Sequence, residues 1–329
     1  MPGLIEPNQV GKREDLSDLI AVVDAKETPV SSMAPKGRAL SNSTFDWQAD
    51  AFKDPTTEGV LDGEDVESFD NQAERRAKLS GRVQKVRETW MVSDFSENLS
   101  DVAGVASEKA RAKAVCITNL KRKIEAVICS DNDSQAQDGT DAYKTRGLGS
   151  WIASSAQTDL PVPAAFRTPA GSINTTAMAS LTETLVQDVL QSVYEQTGQR
   201  GTYMMPCGVA LKRTFTGFSQ YVPDKASHLA VRRHSDQKDQ MISVTISVFE
   251  GDFGTINLIP SLFLANGTAN APTRRGYLLK SDLFEMRYLR TPGGKDLEDK
   301  GGGPRGYADA IFALCVKNPK GLGKFAATS

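Results

Sequence analysis

The chain has 329 residues, of which 39% are hydrophobic and 24% are charged, so we expect an ordered, soluble protein with a sizeable core. Its 39 Lys and Arg residues are balanced by 41 Asp and Glu residues, which argues against a protein whose main task is to grip nucleic acid. No stretch approaches the roughly 20 apolar residues of a membrane span. The charged, proline-containing N-terminus also lacks the apolar core of a signal peptide.

The cysteines are scattered along the chain, never form a CxxC pair, and have apolar neighbours. They are Cys116, Cys129, Cys207 and Cys315. We interpret them as reduced core thiols of a cytoplasmic protein, rather than as disulfides or metal ligands.

The chain begins with a predicted arm. Residues 14–30 have apolar side chains at helical spacing and predict a short helix that ends near Pro29. So short a helix is not stable alone, so we expect it to be attached to something else. The alternation Phe45-Asp46-Trp47 then predicts a strand.

Residues 48–88 are poor in apolar side chains and split by charge, with eight acids over 54–74 and six bases over 75–87. One interpretation is a solvated hairpin whose two arms neutralise each other. The other is an extended loop laid over a neighbouring subunit, where complementary charge fixes the register. The candidate subunit-contact residues are Asp62, Glu64, Asp65, Arg75, Arg76, Arg82 and Arg87.

Residues 99–130 predict a long helix of roughly 45 Å, capped by Ser100. Its apolar side, which includes Ile117, Leu120 and Ile124, is expected to face a sheet. Turn-rich segments follow. A second helix is predicted over 176–197 and stops at Gly198.

The rest of the chain predicts a short strand, a short helix and then further strands. These elements are expected at 202–206, 208–218, 242–248, 276–280, 283–290 and 307–317. The strand at 242–248 forms a hairpin with the alternating residues that follow the turn at 250–254. A flexible, glycine-rich link is expected over 293–306. The fold class is therefore α+β, with long helices packed on an antiparallel-rich sheet.

No constellation of catalytic or metal-binding residues stands out. His228 and His234 lie in a polar stretch without a Cys or carboxylate at zinc-ligand spacing. Gly301-Gly302-Gly303 lacks the strand and helix that flank a phosphate loop, so it is interpreted as a linker. We predict that the protein is not an enzyme and binds no metal or organic cofactor.

Several separated segments together resemble the major head proteins of SU10-like tailed bacteriophages. They are 15–20, 27–30, 45–50, 123–125, 146–151, 252–256, 277–290 and 316–319. Val30 departs from this resemblance, because the family pattern leads us to expect an aromatic residue at that position. No catalytic residue is carried over from this family.

The resemblance implies an HK97-type capsid fold. Its expected parts are an N-terminal arm at 1–44, an extended loop hairpin at 45–92, the spine helix and first part of the peripheral domain at 93–154, the axial domain at 155–240, and the peripheral sheet with the C-terminal strand at 241–329.

The resemblance also implies a function. Such subunits assemble with copies of themselves into pentamers and hexamers of an icosahedral shell around packaged double-stranded DNA. Portal, scaffold and cement or decoration proteins are possible further partners. The expected location is the virion capsid, after assembly in the host cytoplasm. The alternatives are a nanocompartment shell of the same fold that encloses cargo enzymes, and a soluble enzyme or binding module.

Overall fold

The computed structural model describes residues 26–98, 107–177, 180–218, 247–264 and 274–327. Several sequence predictions lie outside these ranges. They are residues 14–25 of the helix predicted over 14–30, the cap at Ser100, the histidines His228 and His234, and the alternating residues at 242–246.

The described residues form six α-helices and eleven strands. The helices are α1 (Pro29–Met33), α2 (Asp94–Asn98), α3 (Glu108–Ile128), α4 (Leu148–Trp151), α5 (Glu183–Thr197) and α6 (Val209–Phe218). The strands are β1 (Thr44–Ala49), β2 (Ala77–Arg82), β3 (Gln84–Met91), β4 (Ile173–Asn174), β5 (Gly201–Cys207), β6 (Val248–Gly251), β7 (Gly254–Pro260), β8 (Arg274–Leu278), β9 (Phe284–Leu297), β10 (Arg305–Val316) and β11 (Gly323–Ala327).

The strands form three sheets. Strands β1 and β2 pair antiparallel, and β3, β10 and β9 form an antiparallel sheet in that order. A mixed sheet has the order β4-β11-β8-β5-β7-β6, with β5 parallel to β7 and β11 parallel to β4. The strands expected together over 241–329 are therefore divided between two sheets, because β6, β7, β8 and β11 join β5.

Helix α3 packs across the three-stranded sheet, but it is shorter than predicted. Ser107 has extended backbone angles, and its hydroxyl accepts a hydrogen bond from the N–H of Ala110 at 3.2 Å. The helix therefore starts at Glu108 and is not continuous from 99. Its 21 residues span roughly 32 Å.

The inward face of α3 was predicted correctly for two of three residues. Leu120 and Ile124 are buried against the sheet, whereas Ile117 is 38% exposed. Cys116 takes the inward position instead. One residue corresponds to a rotation of about 100° around a helix, which turns Ile117 out of the contact.

The second predicted helix ends where it was expected but starts later than 176. Helix α5 begins at Glu183, because the hydroxyl of Thr182 caps the first turn and accepts a hydrogen bond from the N–H of Leu185 at 3.4 Å. Helix α5 ends at Gly198, whose φ of 63° is the left-handed conformation that favours glycine at a helix C-terminus.

Helices α5 and α6 cover one face of the mixed sheet, where Val193, Tyr203 and Phe215 are buried. The hairpin of β6 and β7 turns at Asp252 and Phe253, within the predicted turn.

All four cysteines are buried and free, as predicted for core thiols. Burial raises the pKa of Cys207 to about 11 and that of Cys315 to about 12. Both thiols therefore stay protonated and unreactive at neutral pH.

The glycine-rich link between β9 and β10 is shorter than expected. Strand β9 continues to Leu297 and β10 begins at Arg305, so residues 293–297 pair in the ladder. The remaining turn is organised by Asp299, whose carboxylate accepts hydrogen bonds from three successive glycine N–H groups at 2.8 to 3.2 Å. These bonds give a definite conformation to a segment that we had interpreted as a flexible linker.

The arm is attached to the body, as expected, and its described helix begins near Pro29, where the predicted helix was expected to end. Helix α1 starts at Pro29. Proline is favoured at the first position of a helix, because the N–H that it lacks would have no hydrogen-bond partner within the helix. The fully buried carboxylate of Glu125 accepts the N–H groups of Val30 and Ser31, both at 2.8 Å. Residues 35–40 then hydrogen-bond to the edge of β9.

A buried polar cluster joins the C-terminal end of α3 to the mixed sheet. Asp131 pairs with Arg275, and lies 3.7 Å from the Nζ of Lys324. The Tyr277 hydroxyl donates to the backbone carbonyl of Cys129 at 3.1 Å. Because buried polar groups are costly unless paired, these contacts fix how the helix meets the second sheet.

Candidate subunit-contact loop

The hairpin of β1 and β2 carries the charged segment and is anchored to the body by aromatic residues. The Trp47 indole N–H donates to the Lys317 carbonyl at 3.1 Å, and its ring lies 5.6 Å from that of Trp151. The Arg287 guanidinium lies over the rings of Phe45 and Trp47, at 5.2 and 6.0 Å from their centroids. These contacts fix the direction in which the loop leaves the body.

Arg82 was predicted to contact a neighbour, but the structure places it within its own subunit. Its guanidinium donates to both carboxylate oxygens of Asp159, at 2.7 and 3.1 Å, and its side chain is 17% exposed. The hydrogen bonds from Arg82 lower the pKa of Asp159. Arg82 therefore fixes β2 to the segment that follows α4.

Arg87 also lies in the body, on β3. Its guanidinium lies 5.0 Å from the centroid of the Tyr307 ring on β10, and its backbone carbonyl accepts a hydrogen bond from Lys123 of α3. Leu79, Val83 and Val86 are buried nearby. The second half of 48–88 therefore contributes to the core, although the segment as a whole is poor in apolar side chains.

Residues 50–76, which we call the charged loop, project from the hairpin. At its base Arg75 donates to both oxygens of Asp70, at 2.5 and 2.6 Å, and Arg76 pairs with Asp50 at 3.1 Å. The hydrogen bond from Arg75 lowers the pKa of Asp70. The predicted neutralisation of acids by bases is thus seen at the base of the loop.

The far end of the loop is a turn that contains three of the predicted contact residues. The Glu64 N–H donates to the Leu61 carbonyl at 3.1 Å, and Gly63 has a φ of 85°. This turn brings together Asp62, Glu64 and Asp65. Residues 54–69 include six acids and no Lys or Arg, so this end is strongly negative.

The loop also exposes large apolar side chains, which the sequence prediction did not single out. Phe52 is 95% exposed and Phe69 is 87% exposed. Val60, Leu61 and Val66 are exposed as well. The sequence signal that could have identified these residues is the recurrence of large apolar side chains within an otherwise acidic segment. A set of exposed large apolar residues marks a surface that contacts another molecule.

Neither a membrane-spanning helix nor a cluster of metal ligands occurs among the described residues. None of the helices in the described ranges is long and apolar enough to cross a membrane. In the same parts of the chain, no three His, Cys, Asp or Glu side chains converge as metal ligands would.

Comparison with known proteins gives one family and several similar structures. The family model described as SU10 major capsid protein matches residues 6–329. No curated protein gave a significant match.

The similar structures share the fold at low sequence identity. The capsid of cyanophage P-SCSP1u is 11% identical with a TM-score of 0.60, and the alignment covers 99% of this chain and 97% of that chain. Gordonia phage Cozz gives 12% identity and a TM-score of 0.60, covering 99% of both chains. The capsid of a native GTA particle gives 12% identity and a TM-score of 0.58, covering 98% of this chain and 97% of that chain.

Proposed function

Because the chain belongs to the SU10 major capsid protein family, we propose that it assembles with copies of itself into pentamers and hexamers of an icosahedral bacteriophage head that encloses double-stranded DNA. A structural role follows from the family. We further propose that the subunit contacts portal, scaffold or cement proteins and that it assembles in the host cytoplasm.

The charged loop is the observation that carries self-assembly. It combines exposed Phe52 and Phe69 with an acidic turn, and it projects from a hairpin that Trp47 anchors to the body. Exposed aromatic rings do not stabilise an isolated subunit. Burying one such side chain against a neighbour would stabilise the contact by about 1.5–3 kcal/mol. We therefore propose that the loop packs on a neighbouring subunit.

The seven predicted contact residues divide by position. Asp62, Glu64 and Asp65 are proposed to touch the neighbour directly. Arg75 and Arg76 are exposed or half-buried at the base of the loop, where they would face the neighbour's rim. Arg82 and Arg87 support the loop from the body and are no longer proposed as direct contacts.

A nanocompartment shell is not favoured, because the matching family is that of a phage capsid protein. We also propose that the subunit has no turnover chemistry and no cofactor. A shell subunit needs complementary surfaces, and the loop provides one.

The test is to purify the protein, co-expressed with its neighbouring phage genes, and to examine it by sedimentation and negative-stain electron microscopy. We expect closed shells. A variant with residues 54–69 replaced by a short Gly-Ser linker should remain folded by far-UV circular dichroism but sediment as free subunits or capsomers. If the intact protein forms no shells, or if the linker variant forms them normally, the proposal is wrong.

A further inference from the structure

One side of α3 carries a strip of exposed side chains that leads toward the arm. The members of this side strip recur at helical spacing and are Ala110, Ala114, Ile117 and Lys121. One turn further along the same side, Glu125 holds α1 of the arm. Ile117 is 38% exposed, so an apolar side chain is open to contact beside an interface that the arm already forms. We propose that residues 14–24 of the same subunit dock on the side strip as a short amphipathic helix.

The sequence of residues 14–24, which precede the described part of the chain, fits such a surface. Its large apolar side chains recur at helical spacing and are Leu16, Leu19, Ile20 and Val23. Eleven residues are too few for a stable isolated helix, so this apolar side needs a surface to pack on. The alanines of the side strip leave room for such side chains next to Ile117.

The arm enters the described structure next to the side strip. Thr28 and Lys121 line the same cavity, which has a volume of about 190 Å³. Three residues connect Asp24 to Thr28. A helix of eleven residues is about 16 Å long, which matches the distance along α3 from Ala110 to Lys121. The docked segment would therefore run beside α3 in the same direction, with Asp24 near Lys121.

The charges of the segment and of the side strip are complementary. Residues 14–24 contain four acids and no base. Lys121 belongs to the strip, and Arg111 and Arg122 lie next to its two ends. Within the described ranges, none of these three cations forms an ion pair. Acids on the flanks of a docked segment would meet cations that lack an ionic partner in the body, which favours this position of the segment.

The acids near the side strip do not oppose this arrangement. Glu108, two positions before the start of the strip, lies on nearly the opposite side of the helix. Asp296 of β9 is paired with Lys113 at 2.8 Å. In the connection to the arm, Glu27 is offset by the adjacent Lys26. The strip therefore presents a net positive charge to an acidic segment.

The first experiment traps the contact with a disulfide in the full chain. Counting one turn back from Asp24 and from Lys121 places Ile20 opposite Ile117. Mild oxidation of the variant with Ile20→Cys and Ile117→Cys should give a faster-migrating monomer on a non-reducing denaturing gel, and reductant should abolish it. The matched control combines Ile20→Cys with Val115→Cys, because Val115 is 49% exposed on the same helix but lies about 160° around it.

The outcomes of this experiment are distinct. Ile20→Cys alone controls for the four native cysteines, which are buried. Equal amounts of closed monomer from the two pairs, or none from the Ile117 pair, would overturn the proposal. A ladder of multimers would show that the segment reaches a neighbouring subunit, which also overturns docking within one subunit.

The second experiment measures how well the segment covers the strip. A short docked segment opens before the body unfolds, so a local probe is needed. In Ile117→Cys protein, adding Ile20→Asp should raise the rate of thiol labelling by a maleimide at least about tenfold, because one buried apolar contact is lost. Adding Val22→Asp instead should leave the rate within about twofold, because Val22 lies on the opposite side of the predicted helix.

Equal labelling rates in the Ile20→Asp and Val22→Asp proteins, each folded by circular dichroism, would overturn the proposal. Neither experiment requires assembly of a shell. The inference and the proposed function can therefore fail separately.

Discussion

At the scale of single residues, Glu125 shows how the arm is held. Its carboxylate is fully buried and accepts two backbone N–H groups of α1, and no lysine or arginine of the described ranges forms an ion pair with it. Loss of hydration raises the pKa of Glu125, although the two hydrogen bonds oppose the change. The attachment of the arm is therefore linked to the protonation of this side chain.

We predict a pH dependence for this attachment. Since the folded-state pKa lies above the unfolded value of 4.5, the folded protein binds the proton more tightly. The contribution of Glu125 to stability is full below pH 4.5 and is lost as the pH rises through the raised folded pKa. Relative to Glu125→Gln, the wild-type protein should gain free energy of unfolding as the pH falls from 7 toward 4.5. Urea titrations of both proteins measure this, and a constant difference would contradict it.

A second prediction concerns the inward face of α3. Ile124 is 3% exposed in the core, so Ile124→Asp should cost more than the ~2–5 kcal/mol of simple truncation, because an unpaired charge enters an apolar face. Ile117→Asp is the matched control and should change stability by only about 0.5 kcal/mol. Thermal unfolding of both variants is the measurement. A folded, assembling Ile124→Asp protein would show that the helix faces another way.

At the scale of elements, the β1–β2 hairpin separates two tasks. Its strands are fixed to the body by Trp47, Arg82 and Arg287, whereas its loop is bonded mainly to itself. Contacts within an exposed loop add little to the stability of the fold, since a surface ion pair contributes about 0–1 kcal/mol. Substitutions of Arg75 and Arg76 at the base of the loop should therefore affect assembly, whereas substitution of Arg82 in the body should affect the stability of the fold.

We expect Arg75→Glu combined with Arg76→Glu to impair assembly more than folding. Both arginines pair with exposed carboxylates at the base of the loop, so far-UV circular dichroism should be unchanged while particle yield on a sedimentation gradient falls. Arg82→Glu is the contrasting variant, because it places a carboxylate beside the partly buried Asp159 and should lower thermal stability. Equal loss of fold and particles in the Arg75 and Arg76 variant would mean that these arginines serve the fold.

At the scale of the whole molecule, local elements were more predictable than their partners. The stop of α5 at Gly198 and the hairpin at Asp252 depend on near neighbours, and the sequence predicted both. By contrast, Trp47 meets Lys317 across 270 positions, and no local pattern indicates such a pairing. The division of the C-terminal strands between two sheets was missed for the same reason. The start of α3 was missed because Ser100 and Ser107 are equally plausible caps in sequence.

The candidate site was predicted in the same uneven way. The acids Asp62, Glu64 and Asp65 at the turn were identified from their density in the sequence, and their role as contacts stays a prediction. Arg82 and Arg87 were grouped with them by proximity in the sequence, yet their partners Asp159 and Tyr307 come from distant segments. Charge composition therefore located the loop, but it did not separate side chains facing outward from those used by the fold.

The last prediction is that the assembled shell is noncovalent. Some shells of this fold link lysine and asparagine side chains of neighbouring subunits, a reaction that needs an uncharged amine in an apolar pocket. The lysines of the predicted extended loop are in the opposite setting. Lys78 pairs with Asp46 at 2.7 Å, Lys53 lies 3.8 Å from Asp70, and Lys85 lies 3.7 Å from Asp309.

The side chains of Lys53, Lys78 and Lys85 are 58%, 66% and 47% exposed, so none of them lies in such an apolar pocket. Intact particles boiled in denaturant with reductant should therefore give a single band near 35.5 kDa. Lys78→Arg particles, which keep the charge but lack the amine, should migrate identically. A ladder of multimers that survives boiling and reductant, and that disappears when one of these lysines is replaced, would show that the exposed ion pairs open during assembly and release a reactive amine.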